Sequence, residues 1–148
     1  MSKSSEKIVG VGVGVLIPNY LGQILLGQRI GSHAAGEWGA PGGKVVFGDS
    51  IFATAEKETL QETNLRVTAL RVICVGEEMR YIESDDKHFV DIGVLAQYNG
   101  GEPWIMEPDK CRWWHWFNID NLPQNLMEST HDMIRNYRQG IFHCPPGR

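Results

Sequence analysis

A chain of 148 residues with 42% hydrophobic and 22% charged residues has the composition of a soluble globular protein and enough apolar material for one core. Its net charge of −4 argues against a face built for duplex nucleic acid, so no stable nucleic-acid partner is expected. No apolar run reaches membrane-span length, residues 1–7 carry no apolar signal core, and Cys74, Cys111 and Cys144 are too scattered for a disulfide framework, so a cytoplasmic protein without membrane contact is expected.

Residues 1–7 read as a flexible tail. Ile8 to Ile17 alternates branched residues with glycine, the pattern of a strand whose glycines admit a close neighbour. Pro18 to Gly22 supplies turn chemistry, and Gln23 to Arg29 reads as the return strand of a hairpin. Gly31 to Gly39 reads as a flexible loop, Ala40-Pro41-Gly42-Gly43 as a sharp backbone feature, and Lys44 to Phe47 as a short strand. A helix should start after Asp49 or Ser50, both good N-cap residues, and end near Thr63, with Asn64 suited to the left-handed residue that closes a helix. Strands are expected at about Arg66 to Glu77, His88 to Tyr98 and Arg112 to Phe117. A last helix over Asn125 to Arg138 would present Leu126, Thr130, Met133, Ile134 and Tyr137 on one face. No repeat or linker interrupts the chain, so one domain over residues 1–148 is expected, with a mixed sheet covered on both faces.

Glu58 and Glu62 lie four residues apart on the first helix, so they point about 40° apart with roughly 6 Å of rise. Gln61 lies beside the same stripe. Such a pair is usually a solvated helix face. The functional alternative is a hard divalent cation held between the two carboxylates and substrate phosphates.

The segment Gly43 to Leu65, GKVVFGDSIFATAEKETLQETNL, resembles the box of the Nudix hydrolase family, G-x5-E-x7-R-E-U-x-E-E-x-G-U with U bulky and apolar. Gly43, Glu58, Glu62 and Leu65 match it outright. Pro41-Gly42, Gly48 and the Leu25 to Arg29 strand look like the same family. Gly101 to Glu107, GEPWIME, is similar to a stretch of its MutT-type members. Asp49 and Lys57 stand where the box has Glu and Arg, which the family uses as a structural ion pair; the charge signs are kept. Asn64 replaces a glycine at the helix end, Thr59 replaces a bulky apolar residue at a cost in packing, and Gln61 replaces an acid with a neutral, weaker metal ligand.

The resemblance implies a Nudix-type α/β/α sandwich with a mixed β-sheet. It also implies a Mg2+-dependent enzyme, with Mn2+ as a substitute, that cleaves a nucleoside triphosphate, or a related nucleoside diphosphate-linked substrate, to a monophosphate and pyrophosphate. Its metal oxygens would come from Glu58, Glu62, Glu107, the carbonyl of Gly42 and, weakly, Gln61. The catalytic carboxylates would be Glu58, Glu62 and Glu107, with either Glu58 or Glu107 as the base for water. Arg29 resembles a substrate-contacting arginine of the MutT-type members, Lys87 and His88 fall near another cationic position of that group, and a homodimer is a frequent arrangement in the family. Trp113, Trp114, Trp116 and Phe117 alternate along one strand, Trp114 and Trp116 on one face. Most are expected to pack in the core, with Trp38 and Trp114 as candidates to stack on a base. Asp91 is either a further polar contact or an exposed solubility residue. Two alternatives stay open: a nucleotide-sugar hydrolase of the GDP-mannose type, and a nucleotide-binding Nudix module with weakened catalysis, which Gln61 motivates.

Overall fold

The computed structural model of the chain describes residues 7–31 and 34–146. The tail expected over residues 1–7 therefore lies almost wholly outside the described residues, as do residues 32 and 33 of the expected loop. The described chain runs β1 (Val9–Leu16), β2 (Gln23–Arg29), β3 (Trp38–Gly39), β4 (Gly42–Lys44), α1 (Ile51–Thr63), β5 (Val67–Glu78), α2 (Ile82–Asp85), β6 (His88–Tyr98), β7 (Cys111–Asn118), α3 (Glu128–Gln139) and β8 (His143–Cys144). A five-stranded mixed sheet has the order β4-β1-β6-β5-β8, and a three-stranded antiparallel sheet has the order β3-β2-β7. No helix among the described residues is long and apolar enough to cross a membrane.

The alternation in β1 sets the plan. Val13 and Val15 enter a core cluster with Ala55 of α1, Leu25, Leu65, Val67 and Val94. The next residue, Leu16, enters a second cluster with Ile24, Leu26, Ile73 and with Met133 and Ile134 of α3. The valines of β1 thus face α1, and its glycines face the α3 side, where Gly14 lies against Met133. Helices cover both faces of the sheet layer, as expected. Trp114 and Trp116 pack on the α1 cluster and Phe117 on the α3 cluster, as their alternation predicts.

Helix α1 has local bounds. The Ser50 hydroxyl accepts from the Ala53 N–H at 3.0 Å, and Asn64 closes the helix at φ 64 with its N–H on the Leu60 carbonyl. Lys57 and Asp49 pair at 2.5 Å, as their charges suggest. Thr59 is fully buried and its hydroxyl finds no partner among the described residues, so the packing cost expected there is a desolvation cost as well.

Four expectations need correction. The β1–β2 turn forms, with Asn19 Oδ1 accepting from the N–H groups of Leu21 and Gln23, but the pairing stops at the Pro18–Ile24 bridge. Both edges of β1 are taken by β4 and β6, so β2 leaves for the second sheet. The strand expected at Lys44 to Phe47 sits at Gly42–Lys44, because the Gly-Gly turn itself pairs with Gly12 to Gly14. The loop expected through Gly39 ends in β3. Finally, α3 starts at Glu128 rather than Asn125, since Asn125 to Met127 run extended beside Trp38: Trp38 N–H donates to the Asn125 carbonyl and Met127 N–H to the Trp38 carbonyl.

Candidate active site

The Gly-Gly turn and α1 meet without intervening side chains. Val15 N–H donates to the Pro41 carbonyl at 2.8 Å, and Gly42 pairs with Gly14, so a side chain at position 42 would run into the Val13 carbonyl. One at position 43 would overlap the Glu58 carboxylate. Glycine at both places lets the acids of α1 reach the strand backbone. Gly42 N–H then donates to Glu62 Oε1 at 2.9 Å, anchoring that carboxylate.

The segment after β6 is stitched onto the last turn of α1. Trp104 N–H donates to the Thr63 carbonyl at 2.9 Å and Met106 N–H to the Glu62 carbonyl at 3.4 Å, which delivers Glu107 beside Glu62. The Glu107 carbonyl accepts from the N–H groups of Lys110 and Cys111, a turn that starts β7. Lys110 Nζ stands 3.9 Å from Glu107 Oε2, and its carbonyl accepts from Ile30 N–H, next to Arg29.

Burial pushes the Glu62 carboxyl up to about 7; the Gly42 hydrogen bond opposes this, Glu107 and Glu58 add to it, and Arg29 opposes it. Three carboxylates thus crowd one point, a repulsion that a divalent cation would relieve. Among the described residues no three His, Cys, Asp or Glu side chains are arranged to hold a metal alone. A cation here would need main-chain carbonyl, water or phosphate oxygens besides carboxylates, which suits Mg2+ with its few protein ligands and retained waters. The residues fit the group on that basis.

Beside these acids lies a cavity of about 270 Å³, lined by Gly42, Glu62, Glu107, Arg29 and Trp114 among the residues singled out from sequence. Glu58 lies behind it against Gly43. Gln61 is exposed on α1 and lines none of it. Trp38 packs edge-on against Phe117, with ring centres 5.0 Å apart, in the α3 core rather than on the cavity. Lys87 is exposed and His88 half-buried at the start of β6, and neither lines the cavity. Asp91 does line it, together with Lys110, Cys111, Glu78 and Asp132, which sequence reasoning missed. Lys110 and Cys111 come three and four residues after Glu107 in the chain, so that closeness was an available signal. Glu78 and Asp132 carried none, since only strand register and the docking of α3 bring them in. Burial holds the Cys111 thiol at about 11, so it stays protonated and packs beside Gly27 as a small apolar group.

The model of the NUDIX domain family matches residues 9–137. The chain is 33% identical over 107 residues to an oxidized purine nucleoside triphosphate hydrolase of Danio rerio, across 72% of this chain; it spans 65% of that relative's length. It is 24% identical to an RNA pyrophosphohydrolase of Novosphingobium aromaticivorans, across 87% of this chain and 88% of that one. Among solved structures, a MutT NUDIX hydrolase from Burkholderia pseudomallei superposes with a TM-score of 0.80 at 31% identity, covering 87% of this chain and 98% of its own. With an acid-bearing helix docked on a Gly-Gly turn beside a cavity, the chain belongs to the Nudix family.

Proposed function

We propose that the protein hydrolyses a purine nucleoside triphosphate to the monophosphate and pyrophosphate with Mg2+, in the cytoplasm. The observation that carries this reading is the Glu62 carboxylate, pinned by Gly42 N–H at 2.9 Å and crowded by Glu58 and Glu107 at the wall of a cavity that also holds Arg29 and Lys110. The activity named for the Danio rerio relative supports the substrate class. Three free thiols agree with a reducing compartment.

Glu62, Glu58, Glu107 and the Gly42 carbonyl would hold the cation. When bound, it supplies charge neutralisation on the departing phosphate and polarises the attacking water. Arg29 and Lys110 contact phosphate oxygens, and Lys110 exchanges its ion pair with Glu107 for that contact. Either Glu58 or Glu107 takes the proton of the water. The Trp114 ring lies across Gly27, where a side chain would come within 2.7 Å of it, and so forms a flat wall for a base.

The test is incubation of the pure protein with Mg2+ and a panel of nucleoside triphosphates, nucleotide sugars and 5′-triphosphorylated RNA, with the products resolved. Monophosphate plus pyrophosphate from a free nucleotide is the expected result. Release of a free sugar, turnover of the RNA alone, or binding with no turnover at any metal concentration would each overturn it.

A further inference from the structure

The cavity carries two separate groups of charge. The charges acting on Glu62 are Glu107, Glu58 and Arg29, whereas those acting on Asp91 are Glu78 and Asp132. Asp91 therefore lies away from the acids of α1, on the face of the five-stranded sheet that α3 covers. It sits there because β1 and β6 run parallel in register, with Gly12 beside Asp91 and Gly14 beside Gly93. The Asp91 side chain lies flat across Gly12; a Cβ at that glycine would come within 2.7 Å of Oδ1. The glycine alternation of β1 thus makes a slot, and the carboxylate fills one end of it.

Asp91 is half-buried, and among the described residues it accepts no hydrogen bond and forms no ion pair. A carboxylate removed from water without donors is costly, and a ligand that brings donors lowers that cost. Burial, with Glu78 and Asp132 nearby, accordingly lifts its carboxyl to about 6, which still leaves it mostly ionised and acceptor-only at neutral pH.

Resting on the nucleotide reading above, we propose that Asp91 is the specificity residue for the base, its two oxygens accepting from a ring N–H and an adjacent exocyclic amino group. Guanine presents that pair of neighbouring donors. Hypoxanthine keeps the ring N–H and lacks the amino group. Adenine and cytosine set an acceptor beside their amino group, and thymine flanks its N–H with carbonyls, so each of these turns at least one acceptor toward a carboxylate. A bidentate contact of this kind discriminates by roughly 10- to 100-fold.

The experiment compares dGTP with dITP by kcat/KM in Mg2+, for the unaltered protein, Asp91→Asn and Gly12→Ala, alongside the thermal shift each protein shows with GMP and IMP. The unaltered protein should favour guanine by about 10-fold or more. In Asp91→Asn the ratio should fall to near one, with a larger loss for dGTP than for dITP, because an amide turns its own N–H toward the amino group. Gly12→Ala should lower the ratio too, by displacing the carboxylate, and does not depend on the folding of the first variant. No guanine preference in the unaltered protein, or an equal loss for both nucleotides in both variants, would overturn the proposal. Nucleotide turnover with an Asp91-independent ratio sinks this inference and leaves the proposed function standing. An Asp91-dependent GMP shift in a protein that hydrolyses no nucleotide does the reverse.

Discussion

Glu62→Gln removes the charge from the most crowded carboxyl of the cavity while keeping its shape and its acceptor for the Gly42 N–H. The carboxyl stands at about 7 in the fold against 4.5 outside it, with burial the largest cause. That gap corresponds to about 3 kcal/mol. Because the folded value is the raised one, the stabilising contribution is complete below pH 4.5, where the group is protonated in both states. It is lost as pH rises toward 7, where the unfolded chain has released the proton and the fold must follow. Above that range the metal-free protein carries a buried charge, and the glutamine variant does not. At pH 8 in EDTA the variant should be more stable by about 3 kcal/mol, a rise in Tm on the order of 6–12 °C for a chain of this size. At pH 4 the two should unfold at nearly the same temperature. Thermal unfolding of both proteins from pH 4 to 8, with EDTA and with Mg2+, is the assay. Mg2+ should narrow the difference by stabilising the wild type alone, and turnover should be almost abolished in the variant. A variant less stable than wild type at pH 8 without metal, or one with an unchanged pH slope, would refute the crowding of Glu62.

Thr59→Val replaces a fully buried hydroxyl that has no partner by a methyl group of the same shape, and should raise stability by about 1 kcal/mol; a shifted urea midpoint with unchanged m-value checks it. Gly43→Ala pushes a Cβ into the Glu58 carboxylate, the far end of a flexible side chain. It should leave a folded protein that needs at least 10-fold more Mg2+ for half-maximal rate, read from a metal titration. Lys110→Ala should raise KM for a nucleoside triphosphate several-fold with kcat little altered, with partial rescue by arginine; steady-state kinetics separate this from a loss in kcat.

Much of the fold is legible locally. Ser50 and Asn64 bound α1 by interactions within one turn of each end, and the strand read at His88 to Tyr98 is β6 residue for residue. The acids of α1 are legible too, because a helix translates a spacing of four into one face, and that spacing depends on no distant residue. Arg29 and Glu107, singled out by motif likeness, and Trp114, singled out as an aromatic ring, line the same cavity as Glu62.

The tertiary structure decided the rest, wherever position depends on a strand's neighbours. The β1–β2 hairpin gives way because β4 and β6 claim both edges of β1, a competition that local turn chemistry does not register. Trp38 was as plausible a base-stacking ring as Trp114 from composition; the pairing of β3 with Asn125 to Met127 turns it into the α3 core. Asp91 could have been a solubility residue until parallel register laid it across Gly12, inside a cavity. Sequence alone determined the helix that carries the acids, since hydrogen bonds four residues apart are local. Which residues meet them across the cavity was settled only by sheet register, which couples positions far apart in the chain.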